Sequence, residues 1–137
     1  MIEVVPAGNT GLMQGLLDRM NSGGAARIKL YGGGRPSALT APSSPLVALV
    51  LLADVAGTID GPTGDLLVTP GAETTVGVGT APAWARVENG SGEHLFDCDA
   101  RLSTSPDTGQ EIVVVAPAGF FAGALLRIQS GTFSARP

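Results

Sequence analysis

Four short runs in the C-terminal half of the chain constrain its fold more than any other feature. Trp84–Glu88, His94–Leu102, Glu111–Ala116 and Ala124–Ser134 are rich in alternating or β-branched apolar residues, and the segments between them read NGSG, STSPDTG and PAG. Alternation with period two sends successive side chains to opposite faces of a strand, while Gly, Asn, Asp, Ser and Pro supply the turns. Asn89-Gly90-Ser91-Gly92 is the strongest hairpin signal. Upstream, Ala26, Ile28 and Leu30 share one face of a predicted strand and Arg27, Lys29 and Tyr31 the other. The apolar run Leu46–Ala53 suits a strand buried on both faces and opens a predicted strand over Leu46–Val55. Leu66–Thr69 reads as a short strand and Thr74–Val78 as a weak one. Before all of these, Leu12, Met13, Leu16, Leu17 and Met20 recur at spacings of three and four, which predicts a helix over Gly11–Asn21. Asn9 or Thr10 is placed to cap it, and Gly23-Gly24 to end it. Seven or eight short strands separated by turns predict an all-β fold, an antiparallel β-sandwich of jelly-roll-like type with one short N-terminal helix. Residues 1–25 form the arm and helix, 26–137 a single sandwich domain, with long loops at 32–45 and 70–82.

Composition supports that reading. The chain has 137 residues, of which 20 are Gly and 10 Pro, and only 15% are charged. That is enough chain for one core, and too poor in helix-favouring Glu and Lys for a helical bundle. Eight basic groups against twelve acidic ones give a net charge of −4, and Lys29 is the single lysine. This balance lacks the basic footprint of a nucleic-acid binder. No apolar run is long enough to span a bilayer, so no membrane partner is expected. The N-terminus has neither a basic region nor an apolar segment of signal-peptide type, and the lone Cys98 excludes an intrachain disulfide and fits a reducing compartment.

The chemistry-bearing residues are few. His94, Asp97, Cys98 and Asp99 are the one cluster of metal-ligand types. On a regular strand Asp97 and Asp99 share a face with Arg101, and His94 shares the other with Phe96, Cys98 and Ala100. His94 and Cys98 then stand roughly 13 Å apart at about 3.3 Å per residue, too far for one ion or for a thiolate–imidazole pair. The pattern predicts Phe96, Cys98 and Ala100 in the core and exposed cross-strand pairs for Asp97, Asp99 and Arg101. Gly32-Gly33-Gly34 follows a strand, but Arg35-Pro36 and a Pro/Ser loop follow it where a phosphate-binding turn needs a helix. Trp84 and Arg86, two apart on a strand, share a face and could stack; Trp84 reads first as core and alternatively as an anchor for a partner. No catalytic, metal or cofactor-binding residues are assigned, and no enzymatic activity is expected. The small, weakly polar residues of 37–45 and 70–83 suit contact with a neighbouring subunit or an ordinary surface loop.

The segments ARIKLYGGGRP, LLADV, APAWARVENGSGEHLFDCDARLS and LLRIQSGTFSARP together resemble a family of small tailed-bacteriophage virion proteins, some of them cement or decoration proteins of icosahedral capsids. A W-A-R strand, a G-S-G or D-G turn and a closing strand alternating in Ser and Thr recur in that family, and the similarity runs from about Ala26 to Pro137. The resemblance implies a jelly-roll-like sandwich and a non-enzymatic subunit on the outer capsid surface, assembled in the bacterial host cytoplasm. Its partners would be the major capsid protein and itself, as a homodimer or trimer. A tail, neck or fibre component is the alternative within the virion, and a carbohydrate-binding β-sandwich the alternative outside it. Candidate interface residues are Ile2, Val4, Leu12 and Leu16 in the arm, Arg35 and Leu39 in the first loop, Val76 in the second, and Trp84.

Overall fold

A computed structural model describes residues 2–136; Met1 and Pro137, the outer limits of the expected arm and domain, lie outside the described residues. One helix, α1 (Pro6–Met20), precedes eight strands: β1 (Arg27–Tyr31), β2 (Leu46–Ile59), β3 (Leu66–Pro70), β4 (Thr74–Thr75), β5 (Trp84–Glu88), β6 (His94–Leu102), β7 (Ile112–Val115) and β8 (Leu125–Phe133). The strand order is β3-β2-β1-β5-β6-β7-β8, and a further β3–β8 pairing closes these seven strands into a barrel, with β4 added along β8.

The all-β expectation with one N-terminal helix holds, but the sheet closes on itself where a two-layer sandwich was expected. The cause lies in β2. Its first half pairs with β1 through Arg27↔Leu51 to Tyr31↔Leu46, and its second half pairs with β3 through Gly57↔Val68 to Ile59↔Leu66. The register breaks between Leu52 and Gly57. Such an irregularity bends a strand, so one long strand turns the corner that two separate strands would make in a sandwich. Gly57 is needed there, since a Cβ would meet the Leu67 carbonyl at 2.5 Å. The run that reads as a turn from Gly57 therefore stays in the strand to Ile59.

One pair departs from the antiparallel expectation. β7 runs parallel to β6, with Ala100↔Ile112, Arg101↔Val113 and Leu102↔Val114. Parallel neighbours normally need a long crossover. Here the chain leaves β6 at Leu102 and returns beside Ala100, so residues 103–111 have little distance to recover. The Arg101 guanidinium organises that return, donating to the carbonyls of Leu102, Ser103 and Ser105 at 3.1–3.3 Å.

The inward residues of the barrel alternate along their strands: Ile28 and Leu30, Ala48, Val50 and Leu52, Ala85 and Val87, Cys98 and Ala100, Ile112 and Val114, Leu126 and Ile128 are all buried. β2 is not buried on both faces as its apolar run suggests: its inner face meets the core, and Leu51 on the outer face stays 46% exposed. Helix α1 closes one end of this core with Met13, Leu17 and Met20. It begins at Pro6, not at Gly11. Proline is well suited to the first helical position, where its missing N–H costs nothing. Each interior glycine costs roughly 1 kcal/mol of helix propensity, and burial of the Met13–Leu17–Met20 stripe outweighs it. Leu16 is half-buried and Leu12 exposed.

Candidate interface surfaces

The helix end of the barrel is stitched by side-chain amides. The chain has three asparagines, and all three act here. Asn9, fully buried, donates to the Thr63 carbonyl at 2.9 Å and to Asp65 Oδ1 at 2.6 Å, and accepts from Ala135 N at 2.8 Å. One side chain thus binds α1, the β2–β3 turn and the C-terminal segment together. Asn21 Oδ1 accepts from Ala56 N at 2.8 Å, which satisfies a backbone donor that the break in β2 takes out of the ladder. Asn89 Oδ1 accepts from the N–H groups of Ser91 and Glu93 and shapes the β5–β6 hairpin turn. A hydrogen bond from Ser134 does most to hold the Asp65 carboxyl below its usual range, with Arg136 and Asn9 adding to it against the opposing effect of burial. Asn9 stands four residues before Met13 and eight before Leu17, in phase with the buried stripe; that phase marks a buried polar group, where composition alone suggests a helix cap.

The outer face of β1, β5 and β6 is a second, partly polar layer. All five residues of β5 are buried, because the core covers one face and the 32–45 loop lies over the other. Trp84 stacks on Tyr31 with centroids 4.6 Å apart, and the Arg86 guanidinium sits 5.5 Å above the indole. Arg86 binds Asp97 directly across the strand pair with two bonds, at 2.8 and 2.9 Å, and donates to the Thr40 carbonyl of the loop at 3.0 Å. The pair is covered: the Arg86 and Asp97 side chains are 9% and 4% exposed, where the alternation predicts an exposed pair. Burial alone would push the Asp97 carboxyl up, but hydrogen bonds from Arg86 and His94 outweigh it and hold the group below its ordinary value. Lys29 pairs with Glu88 at 2.9 Å in the same layer, and Arg35 with the more exposed Asp99 at 3.4 Å.

His94 departs from its predicted face. Val87 pairs with Phe96 and Glu88 with His94, so Leu95 is an extra residue and the alternation reverses before it. His94 Nε2 consequently lies 2.8 Å from Asp97 Oδ1, on the side away from Cys98. The Cys98 thiol is buried in the barrel, and that burial pushes its pKa up. Arg86, His94 and Asp97 form a clamp that holds the loop against the sheet. Among the described residues no group of three or more His, Cys, Asp or Glu side chains converges as a metal site.

The candidate interface residues divide in two. Val76 and Trp84 are buried, within the chain's own core and its outer layer respectively, and offer a partner no surface. Val76 goes inward because its N–H bonds the Ala124 carbonyl and its carbonyl receives Gly123 N, which fastens it into the wall beside β8. Leu16 packs partly against the core and Val4 is half-buried. Arg35 is partly exposed in its ion pair. Ile2 is 89%, Leu12 56% and Leu39 100% exposed, and Val5, outside the expected set, is 64% exposed. Of the aromatic residues, Phe121 is the one largely exposed, on the 116–124 loop. Compared with family models, curated proteins and solved structures, the chain has no match.

Proposed function

We propose that this chain is a non-enzymatic structural subunit of a tailed-bacteriophage virion, a cement or decoration protein that lies on the outer capsid surface and bridges neighbouring major capsid subunits. The observation that carries the reading is the N-terminal arm. Ile2, Val5 and Leu12 stay in solvent on a segment that Asn9 fixes firmly to the barrel. The helix that carries Leu12 and follows Val5 is held in place before it binds, so a partner that covers that part of the arm loses little conformational entropy. Burying three large aliphatic side chains contributes about 5 kcal/mol before association costs. The resemblance of the ARIKLYGGGRP and APAWARVENGSGEHLF segments to phage virion proteins supports the same reading, as does a net charge of −4, which leaves apolar contact as the main attraction to a neutral or acidic shell.

The test is co-sedimentation with phage heads assembled from a major capsid protein. The subunit should stay bound through a wash at about 1 M salt, where the Debye length is roughly 3 Å, because screening barely touches apolar burial. The double substitution Ile2→Asp, Val5→Asp should release it. Release by salt with no effect of the aspartates would overturn the reading, and recovery on tail tubes instead of heads would move the subunit to the tail.

A further inference from the structure

Barrel closure removes most of the sheet edges through which a sandwich would self-associate, yet it leaves a convex and a concave apolar feature, away from the arm, that match each other. The convex feature is Leu39. It is fully exposed at the tip of a turn in which Thr40 donates to the Ser37 carbonyl from both its N–H (2.9 Å) and its hydroxyl (2.8 Å). Arg86 pins the same turn through the Thr40 carbonyl. The leucine is therefore held out by a built support. The concave feature is a groove of about 220 Å³ over the outer face of β2, floored by Leu49 and Leu51 and walled by Ala72, Glu73 and Thr74. Its wall is fixed, since Gly71 lies so close to the Leu51 carbonyl that a Cβ would collide with it, and Thr74 pairs with Leu126 of β8.

Size and charge match. A cavity of about 150 Å³ takes a benzene-sized group, so this groove has room for an isobutyl side chain. Arg35, partly exposed, is on the same loop as Leu39, and the exposed Glu73 borders the groove. We propose that the groove receives Leu39 of a second copy of this chain, with Arg35 of that copy approaching Glu73. A molecule cannot fill its own groove, because the Arg86 bond holds the turn over β5 and β6 while the groove lies on β2, with β1 between. The contact joins two different patches, so association closes as a two-fold dimer where each copy's Leu39 enters the other's groove, and otherwise builds a ring or an open chain. This inference is independent of capsid docking, which uses the arm.

Sedimentation of the full chain tests it through two surface substitutions. The wild-type protein should form dimers or larger species as concentration rises. Leu39→Asp removes the knob and Leu51→Asp the groove, and each variant alone should sediment as the 13.7 kDa monomer, its self-association weakened by roughly 30-fold or more, as for loss of a hot-spot side chain. An equimolar mixture of the two retains one good knob and one good groove, and should form a 1:1 dimer and nothing larger. Circular dichroism checks that both variants are folded. Should Leu51→Asp fail to fold, mixing Leu39→Cys with Ala72→Cys under an added thiol oxidant such as oxidised glutathione provides the second route: an intermolecular disulfide should form between the two, with Cys98 buried and silent. Wild-type protein that stays monomeric, variants that associate as well as wild type, or mixtures that neither dimerise nor cross-link would overturn the proposal.

Discussion

The two flanks of the barrel are held by different chemistry. At the helix end, neutral amides of Asn9, Asn21 and Asn89 bond backbone groups that the ladders leave over, and the Arg19–Glu93 and Arg136–Asp65 ion pairs there are more exposed than Arg86–Asp97. On the outer face of β1, β5 and β6, the 32–45 loop is held by ions, above all by Arg86 between Asp97 and the Thr40 carbonyl. An amide has one donor group and one acceptor and fixes a single geometry. An ion pair is stronger when dry, and more costly when half of it is removed. The helix end is thus built to keep α1 and the exposed arm in place, and the loop side to hold a long, weakly structured segment over an aromatic pair.

The sharpest way to break this symmetry of purpose is Asp97→Ala. It leaves the Arg86 guanidinium buried with only the Thr40 carbonyl, and a buried charge deprived of its partner costs about 3–4 kcal/mol. Urea unfolding should show that loss, and hydrogen exchange should show residues 32–45 opening. The paired replacement Arg86→Met, Asp97→Leu should recover most of the stability, because it removes both charges together.

Asn9→Ala should cost somewhat less, about 1–2 kcal/mol, since it leaves the Ala135 N–H and the Thr63 carbonyl without protein partners in a part-buried site. The loss should appear at the helix end, as faster exchange in α1 with the 32–45 loop unaffected. A wild-type exchange pattern in α1 would mean that packing of Met13, Leu17 and Met20 holds the helix without the amide.

Acid should weaken both flanks in the same direction. Asp65 and Asp97 have folded pKa values below their unfolded ones. Between the two values the unfolded chain binds more protons, so stability rises with pH. The contribution is complete above the ordinary carboxylate range, near pH 4, and is lost as pH falls through the folded values. The urea midpoint should be steady from pH 7 to about 5 and drop below about 4, and Asp65→Asn should flatten part of that drop. Asn9→Asp should behave in the opposite sense. It sets a second carboxylate where the amide now lies 2.6 Å from Asp65 Oδ1, so it destabilises at neutral pH and recovers on acidification as the two come to share a proton.

How much of this was legible in the sequence depends on whether a local pattern or a long-range closure decides the matter. His94–Leu102 and Trp84–Glu88 have the predicted bounds because alternation and turn residues are local signals. Barrel closure was not legible, since it rests on a break inside β2 and on two pairs, Leu66↔Phe133 and Leu67↔Thr132, between segments far apart in the chain. A single extra residue at Leu95 carries His94 to the face of Asp97, and alternation counted along the strand cannot detect it. For the candidate surfaces, exposure was legible at Leu39, whose neighbours Ala38 and Thr40 are small or polar. It was not legible at Val76, in the same Gly- and Thr-rich texture, because its burial comes from backbone bonds to Gly123 and Ala124.

The smallest effect is expected where exposure is greatest. Leu39→Ser removes an apolar side chain that touches nothing in its own molecule, while the two Thr40–Ser37 bonds and the Arg86 contact all run through atoms the substitution leaves alone. Unfolding free energy at dilute concentration should stay within about 0.5 kcal/mol of wild type, as for other surface changes away from structural features. The same change at concentrations where copies associate should lower the apparent melting temperature, because the stabilising effect of a partner enters by mass action. A residue that matters only when neighbours are present gives that split between dilute and concentrated protein. Were Leu39→Ser to destabilise the dilute monomer by more than about 1 kcal/mol, the side chain would be packing against its own loop in solution. The contrast between a pinned turn and a displayed tip would then be lost.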